Sequence, residues 1–401
     1  MCDIWSKYKI PTTLVPDLLT MSEQLTTVDL TNTTLPISPE GGFIKSAGLS
    51  PWPDRLRNLA TVMVIGIHVA APVAHGDGQD FNGSWWWAGN FWNSLTRPAV
   101  PLFVMLSGYL LLGKDYPLPD FLKRRFSRVV IPAIFWMLIY SFYNYMANGS
   151  PSSIGAALKG IFTGPVHYHL WFIYLIIGLY LVYPIIRPWA RTASNQDYLY
   201  FFVMWSIGTW IYKALAVFGQ MTIGIYFELF TNNCGYFVMG YFLGTRVTLN
   251  DVRGIMNEEQ GLPSAVRVHH YTPWLLIAVG TAGTMISSYV VNAFFWNGHT
   301  NVYFYDYLTP NVIVSAIGWF LLARMLFNSK PLLDIEREFS AASFGIYFAH
   351  VLVMDYCGKL GYWHSMAHPI YLAPMLTIMI ASLTFLAISL IRVLPGGQRV
   401  T

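Results

Sequence analysis

Apolar stretches of about twenty residues recur along this chain, and no other feature constrains its fold as strongly. A helix of that length covers the hydrocarbon thickness of a bilayer. In lipid, a spanning segment must also satisfy its backbone hydrogen bonds within itself. We read ten candidates, at roughly 58–75, 92–113, 128–147, 167–187, 198–217, 221–243, 273–293, 308–328, 339–359 and 370–392. Some are interrupted: the second by Pro98 and Pro101, the sixth by Glu228, Asn232 and Asn233. Glu228 is the acidic residue that falls most clearly inside a span. Charged residues make up 11% of the 401 residues, against about 25% in a soluble domain. The expected fold is an all-α polytopic membrane protein with about ten transmembrane helices.

Basic residues orient such a chain, because cytoplasmic connections carry an excess of Lys and Arg. With the N-terminus inside, Lys114, Lys123, Arg124, Arg125, Arg128, Arg187, Arg191, Arg246, Arg253, Arg267, Arg324, Lys330 and Arg337 lie in cytoplasmic connections, and Arg392 and Arg399 also lie inside. The opposite side keeps Arg97, Lys159, Lys213 and Lys359. Both termini are thus expected in the cytoplasm. Aromatic clusters such as SWWWAGNFW (84–92) and NAFFWNGHTNVYFYDY (292–307) suit the outer interface. Residues 1–50 lack a charged segment followed by a compact apolar core, so no secretory signal is expected there. They read as a flexible cytoplasmic tail, with residues 51–401 as the membrane domain.

A net charge of +4 is too small to argue for nucleic acid as a partner. Cys2, Cys234 and Cys357 form no C-x-x-C pair, so neither a disulfide framework nor a zinc site is implied, and no metal is expected. No P-loop or G-x-S-x-G turn occurs, so the chain does not carry its own ATP-driven chemistry.

Polar groups at depth carry the functional signal. In RNLATVMVIGIH (57–68), Arg57 and His68 bracket ten largely apolar residues. Eleven steps at ~100° bring them within about 20° of the same helix face, roughly 16 Å apart along the axis. Arg57 alone reads equally as a snorkelling anchor; a mid-membrane histidine is a functional candidate by default. Asp54, three residues earlier, is placed to pair with Arg57. In the ninth stretch, Ser343, Tyr347 and His350 line one face, with His350 at a depth similar to His68; hydrogen bonds between packed helices account equally well for the serine and tyrosine. The basic run in DFLKRRFSRVVIP (120–132) places Arg125 and Arg128 three apart, as topology signals or as a clamp for a phosphorylated ligand. In HYHLWF (167–172), His167, His169 and Trp171 stand where the fourth stretch begins.

These segments together resemble the acyltransferase-3 family of membrane proteins. PDRLRNLATVMVIGIH (53–68) is similar to its first helix, marked by an arginine, ten residues and a histidine. LTRPAVPLFVMLSGYLL (95–111), RRFSRVVIP (124–132), HYHLWFIYLIIGLYLVYPII (167–186) and SFGIYFAH (343–350) also fit, in order, over about residues 51–392. The resemblance implies transfer of an acyl group, usually acetyl, from cytoplasmic acetyl-CoA to a hydroxyl of a cell-surface glycan or its lipid-linked precursor, in a bacterial inner membrane. On that reading His68 and His350 are catalytic, Arg57, Arg125 and Arg128 bind the donor, and Asp54, Arg97, Ser107, His169, Trp171, Ser343 and Tyr347 support them. Two alternatives stay open: a non-enzymatic transporter of a glycan or small anion, and the same fold moving succinyl in place of acetyl.

Overall fold

The computed structural model describes residues 50–76, 81–151, 153–219, 232–249, 266–296, 298, 301–361 and 366–401. The chain divides into residues 1–49 and 50–401. The expected tail and Glu228 both lie outside the described residues.

Thirteen α-helices are present among the described residues: α1 (Trp52–Ala74), α2 (Ser84–Thr96), α3 (Ala99–Leu112), α4 (Leu118–Asn148), α5 (Ile154–Thr163), α6 (Trp171–Thr192), α7 (Asn195–Ser206), α8 (Tyr212–Phe218), α9 (Cys234–Thr245), α10 (Thr272–Phe294), α11 (Pro310–Leu326), α12 (Asp334–Lys359) and α13 (Pro369–Val393). The sheet is minimal, with β1 (Val247–Leu249) and β2 (Val266–Val268) pairing in parallel. Among the described residues, seven helical stretches are long and apolar enough to cross a membrane. The difference from ten has local causes. The expected span 198–217 is α7, a π-helical turn at 207–211 and α8. Of 221–243, the described part is Asn232, Asn233 and the first ten residues of α9, Cys234–Leu243. The span 339–359 belongs to α12, 26 residues long, which opens on the charged run DIERE and is therefore less apolar than its neighbours.

Two boundaries move in ways that matter. The second expected span began at Trp92, but helix runs back to Ser84, so SWWWAGNFW is mostly the body of α2 rather than an interfacial loop. Ser84–Leu112 is one 29-residue stretch long and apolar enough to cross, broken at Arg97–Pro98. Pro98 and Pro101 lack the N–H that would continue the helical ladder. The basic segment 123–128 is likewise no loop. It forms the first turns of α4, whose 31 residues exceed a bilayer's thickness. α5, not anticipated from sequence, exposes Ile154, Leu158 and Phe162 at helical spacing, the pattern of a helix lying along an interface.

Packing is tightest where small residues let backbones meet. An added Cβ at Gly108 would stand 1.8 Å from the Phe237 carbonyl, and one at Gly240 would stand 1.9 Å from the Met105 carbonyl. The α3–α9 crossing is therefore closed by reciprocal glycines, a device suited to lipid, where burial of apolar area drives little helix association. Gly66 plays the same part between α1 and α2, with an added Cβ 2.9 Å from Thr96 Cγ2. That contact sets Thr96 and its neighbour Arg97 at nearly the depth of His68.

Candidate active site

α1 and α12 lie side by side and carry the site in two rungs. At the first, Arg57 donates to Ser340 Oγ at 2.8 Å. At the second, the rings of His68 and His350 face each other with centroids 5.3 Å apart. Eleven residues separate the α1 partners and ten the α12 partners, so the helices run parallel here. Arg57 and His68 therefore share the face turned toward α12, as the helical arithmetic required.

Around the histidine rung stands a ring of aromatic side chains. His169 is 5.3 Å from His350 and 6.5 Å from His68, centroid to centroid. Tyr168 is 5.2 Å from His68. Tyr140 lies 4.9 Å from His169 and 4.8 Å from His167. Tyr347 donates its hydroxyl proton to the His169 carbonyl, tying α12 to the turn before α6. His350 is 0% exposed and His169 2%, whereas His68 is half-buried.

Hydrogen bonds to carbonyls assign the tautomers, since a carbonyl only accepts. His350 Nδ1 contacts the Tyr347 carbonyl at 2.7 Å and the Ile346 carbonyl at 3.2 Å, so Nδ1 carries the proton. Its Nε2 is buried without a partner and holds the free lone pair of the neutral ring. His169 Nε2 donates to the Phe348 carbonyl at 3.4 Å, which leaves its Nδ1 to accept from His167 Nδ1 at 3.2 Å. The Tyr140 hydroxyl donates to the same Phe348 carbonyl at 2.7 Å. Backbone geometry thus pre-sets the protons of three imidazoles.

At the other rung, Asp54 closes a triangle. Arg57 donates to it at 2.5 Å and the Ser340 hydroxyl donates to it at 2.8 Å. Arg125 is half-buried, with its guanidinium 5.7 Å from the centre of the Tyr180 ring and 5.8 Å from that of Phe121, while Arg128 is exposed. Of the three candidate donor-binding arginines, Arg125 is the one that meets Tyr180 of α6. Sequence reasoning missed Tyr180 because nothing separates it from the chain's other 24 tyrosines. It also missed Arg55, which forks onto Glu336 at 2.9 and 3.0 Å and donates to the carbonyls of Phe327, Lys330 and Pro331. That arginine pins α1 to the α11–α12 connection.

The remaining candidates divide. Trp171 stacks on Tyr307 at 5.7 Å, and Tyr307 is one of two rings beneath Arg97. Ser107 donates to the Phe103 carbonyl and Ser343 to the Ser340 carbonyl, each within its own helix. Arg97, expected at the outer end of a span, is 8% exposed at the α2–α3 joint, because α2 begins eight residues earlier than expected. Among the described residues no group of three His, Cys, Asp or Glu is arranged to hold a metal ion. An apolar cavity of about 230 Å³ opens elsewhere, between α1, α2, α11 and α13, lined by residues such as Leu59, Val62, Trp92 and Trp319. It offers no acid–base group.

Two half-sites result: guanidinium groups of a kind suited to phosphates at the Arg57 end of α1, and, about three helical turns along α1, a set of imidazoles suited to moving a proton. No curated protein and no solved structure matches the chain. Residues 50–393 match the acyltransferase domain of the acyltransferase-3 family, a stretch that contains every side chain described above. The chain therefore belongs to the acyltransferase-3 family and is an acyltransferase built on membrane-crossing helices.

Proposed function

We propose that the protein moves an acetyl group from cytoplasmic acetyl-CoA to a hydroxyl of a surface glycan, or of its lipid-linked precursor, in a bacterial inner membrane. Ten crossings with both termini cytoplasmic complete this reading. The observation that carries it is the parallel pairing of α1 and α12, which sets Arg57 and His68 as two stations along one line. Arg57, Arg125 and Arg128 hold the phosphates of coenzyme A, and the pantetheine arm carries the thioester inward to His68. The order of motifs also resembles the inner-membrane O-acetyltransferase of enterobacterial common antigen, which supports a glycan acceptor.

In the reaction, neutral His68 takes the proton from the acceptor hydroxyl as its oxygen bonds to the thioester carbonyl carbon. The carbon–sulfur bond then breaks, and the departing thiolate takes the proton back from His68. His350, with its Nδ1 proton committed to backbone carbonyls, presents a lone pair beside His68 and steadies the imidazolium that forms. Positioned acid–base catalysis of this kind is worth about 10²–10⁴ in rate.

Mass spectrometry of surface glycans from cells with and without the gene tests the reading. Loss of 42 Da (about one acetyl group in place of a proton) from glycan units on deletion is the expected result. A glycan mass unchanged by deletion overturns the glycan acceptor, and a 100 Da difference (about one succinyl group) would assign the same fold to succinyl transfer.

A further inference from the structure

We propose that Arg97 anchors an internal subsite for an anionic oxygen group, a carboxylate or a phosphate, on the molecule that enters beside the histidines. The inference deepens the acyl-transfer reading and rests on it for its place in a reaction. The binding it asserts can be measured without any transfer.

Arg97 is 8% exposed at the joint between α2 and α3. Its guanidinium lies over the rings of Tyr305 at 5.2 Å and Tyr307 at 5.7 Å. Among the described residues no carboxylate pairs with it, and its Nε is buried without a hydrogen-bond partner. Asp306, between the two tyrosines in sequence, is engaged by Lys213 at 3.2 Å. Aromatic faces offset part of the cost of a buried cation, but a buried charge without a counter-charge is costly. Such a cost is repaid when an anion arrives.

One helical turn earlier, on the same face of α2, Asn93 is 0% exposed, and neither its amide nitrogen nor its amide oxygen has a partner. Three polar groups beside it, Tyr305, Ser94 and Asn90, are already committed. Tyr305 and Ser94 both donate to Asn90 Oδ1, at 2.8 and 3.0 Å, and Asn90 Nδ2 donates to the Met285 carbonyl at 3.1 Å. The unsatisfied groups are therefore the Nε–H of Arg97, whose guanidinium also meets the Tyr307 hydroxyl, and, one turn away on the same helix, an amide able to donate and accept. A carboxylate or phosphate with a neighbouring hydroxyl complements both.

The position adds the functional sense. Gly66 packs against Thr96, so Arg97 sits close to the depth of His68, and Tyr307 beneath Arg97 stacks on Trp171, three residues from the Tyr168 ring that meets His68. An anion seated at Arg97 lies next to the reacting centre. The substrate class this defines is an acidic sugar or a sugar phosphate, with the acid group held at Arg97 while a nearby hydroxyl is presented to the histidine.

The test is binding to the purified full chain in phosphatidylcholine nanodiscs, read as the thermal unfolding midpoint. The probes are methyl glucuronide, glycerol phosphate and neutral methyl glucoside. The expected result is a saturable rise of about 2 °C or more with glucuronide, with glycerol phosphate or with both, and none with glucoside. Which anion acts identifies the source as carboxylate or phosphate. Arg97→Gln abolishes the rise; Arg97→Lys, which keeps the charge but loses the planar fork, weakens binding about tenfold. Absence of any anion-specific rise overturns the subsite. So does an undiminished rise in Arg97→Gln, or, if that variant does not fold, undiminished affinity in Arg97→Lys. Anion binding in a protein that transfers no acyl group would count against the acyl-transfer reading alone.

Discussion

His350 turns its Nδ1 proton into the Tyr347 carbonyl and keeps Nε2 free, 5.3 Å ring to ring from His68. Two imidazoles at this distance act as one unit, since a proton on either raises the cost of a proton on the other. His68→Ala and His350→Ala should each lower kcat by about 10²–10⁴. The double variant should fall little further, because residues acting as a unit are non-additive. Acyl transfer measured on the three proteins checks this; losses that multiply would show two independent roles.

The arginine cluster predicts a different kinetic signature. Charge-assisted contacts to a ligand phosphate are worth about 1.5–3 kcal/mol, so Arg125→Ala should raise KM for acyl-CoA about tenfold or more and leave kcat nearly intact at saturation. Tyr180→Phe, which keeps the ring under Arg125 and removes its hydroxyl, should raise it less. Equal losses at every donor concentration would contradict a phosphate clamp.

On the proposed reading, Asp54 serves to orient Arg57 rather than to stabilise the fold. The pair is 39% and 28% exposed at its side chains, and exposed ion pairs contribute about 0–1 kcal/mol. Asp54→Asn should leave the thermal midpoint within about 2 °C of the parent, while kcat/KM falls through a loosened Arg57. A large loss of stability with parental kcat/KM would assign the triangle a structural role.

The α3–α9 crossing should fail in the opposite way. Gly240→Val drives a side chain into the Met105 carbonyl, where even a Cβ has 1.9 Å. Overpacking of well-filled sites costs about 1–3 kcal/mol, and a contact with backbone cannot be relieved by a rotamer change. Reduced folded protein in membranes, read by size-exclusion profile, is the expected outcome; a parental profile would mean the helices can part.

Periodicity and chemistry carried much of this site, and their limits are physical. The shared face of Arg57 and His68 follows from helix geometry, and α12 confirms it by meeting both residues. Arg97 was legible as a charge but not as a buried one. Hydropathy places a span's edge where polarity rises, whereas α2 begins at Ser84 and runs on through Asn90, Asn93 and Ser94, whose polar side chains are buried in protein. Tyr180 and the tautomer of His350 could not be read at all. Both depend on which helix packs against which, a property of the assembled fold and not of local pattern. The fifth helix escaped for a related reason: ten residues are too few to register as a span.

The central claim is that acyl transfer passes through the His68–His350 rung. Its most direct measurement uses the purified chain in nanodiscs, acetyl-CoA labelled in the acetyl group, and a glycan or lipid-linked acceptor fraction from the producing cell. Label should move to the acceptor with the parent protein and fall at least a hundredfold, about the lower bound for lost acid–base catalysis, in His68→Ala and His350→Ala variants that keep the parental unfolding midpoint. Parental rates of label transfer in both variants would contradict the account.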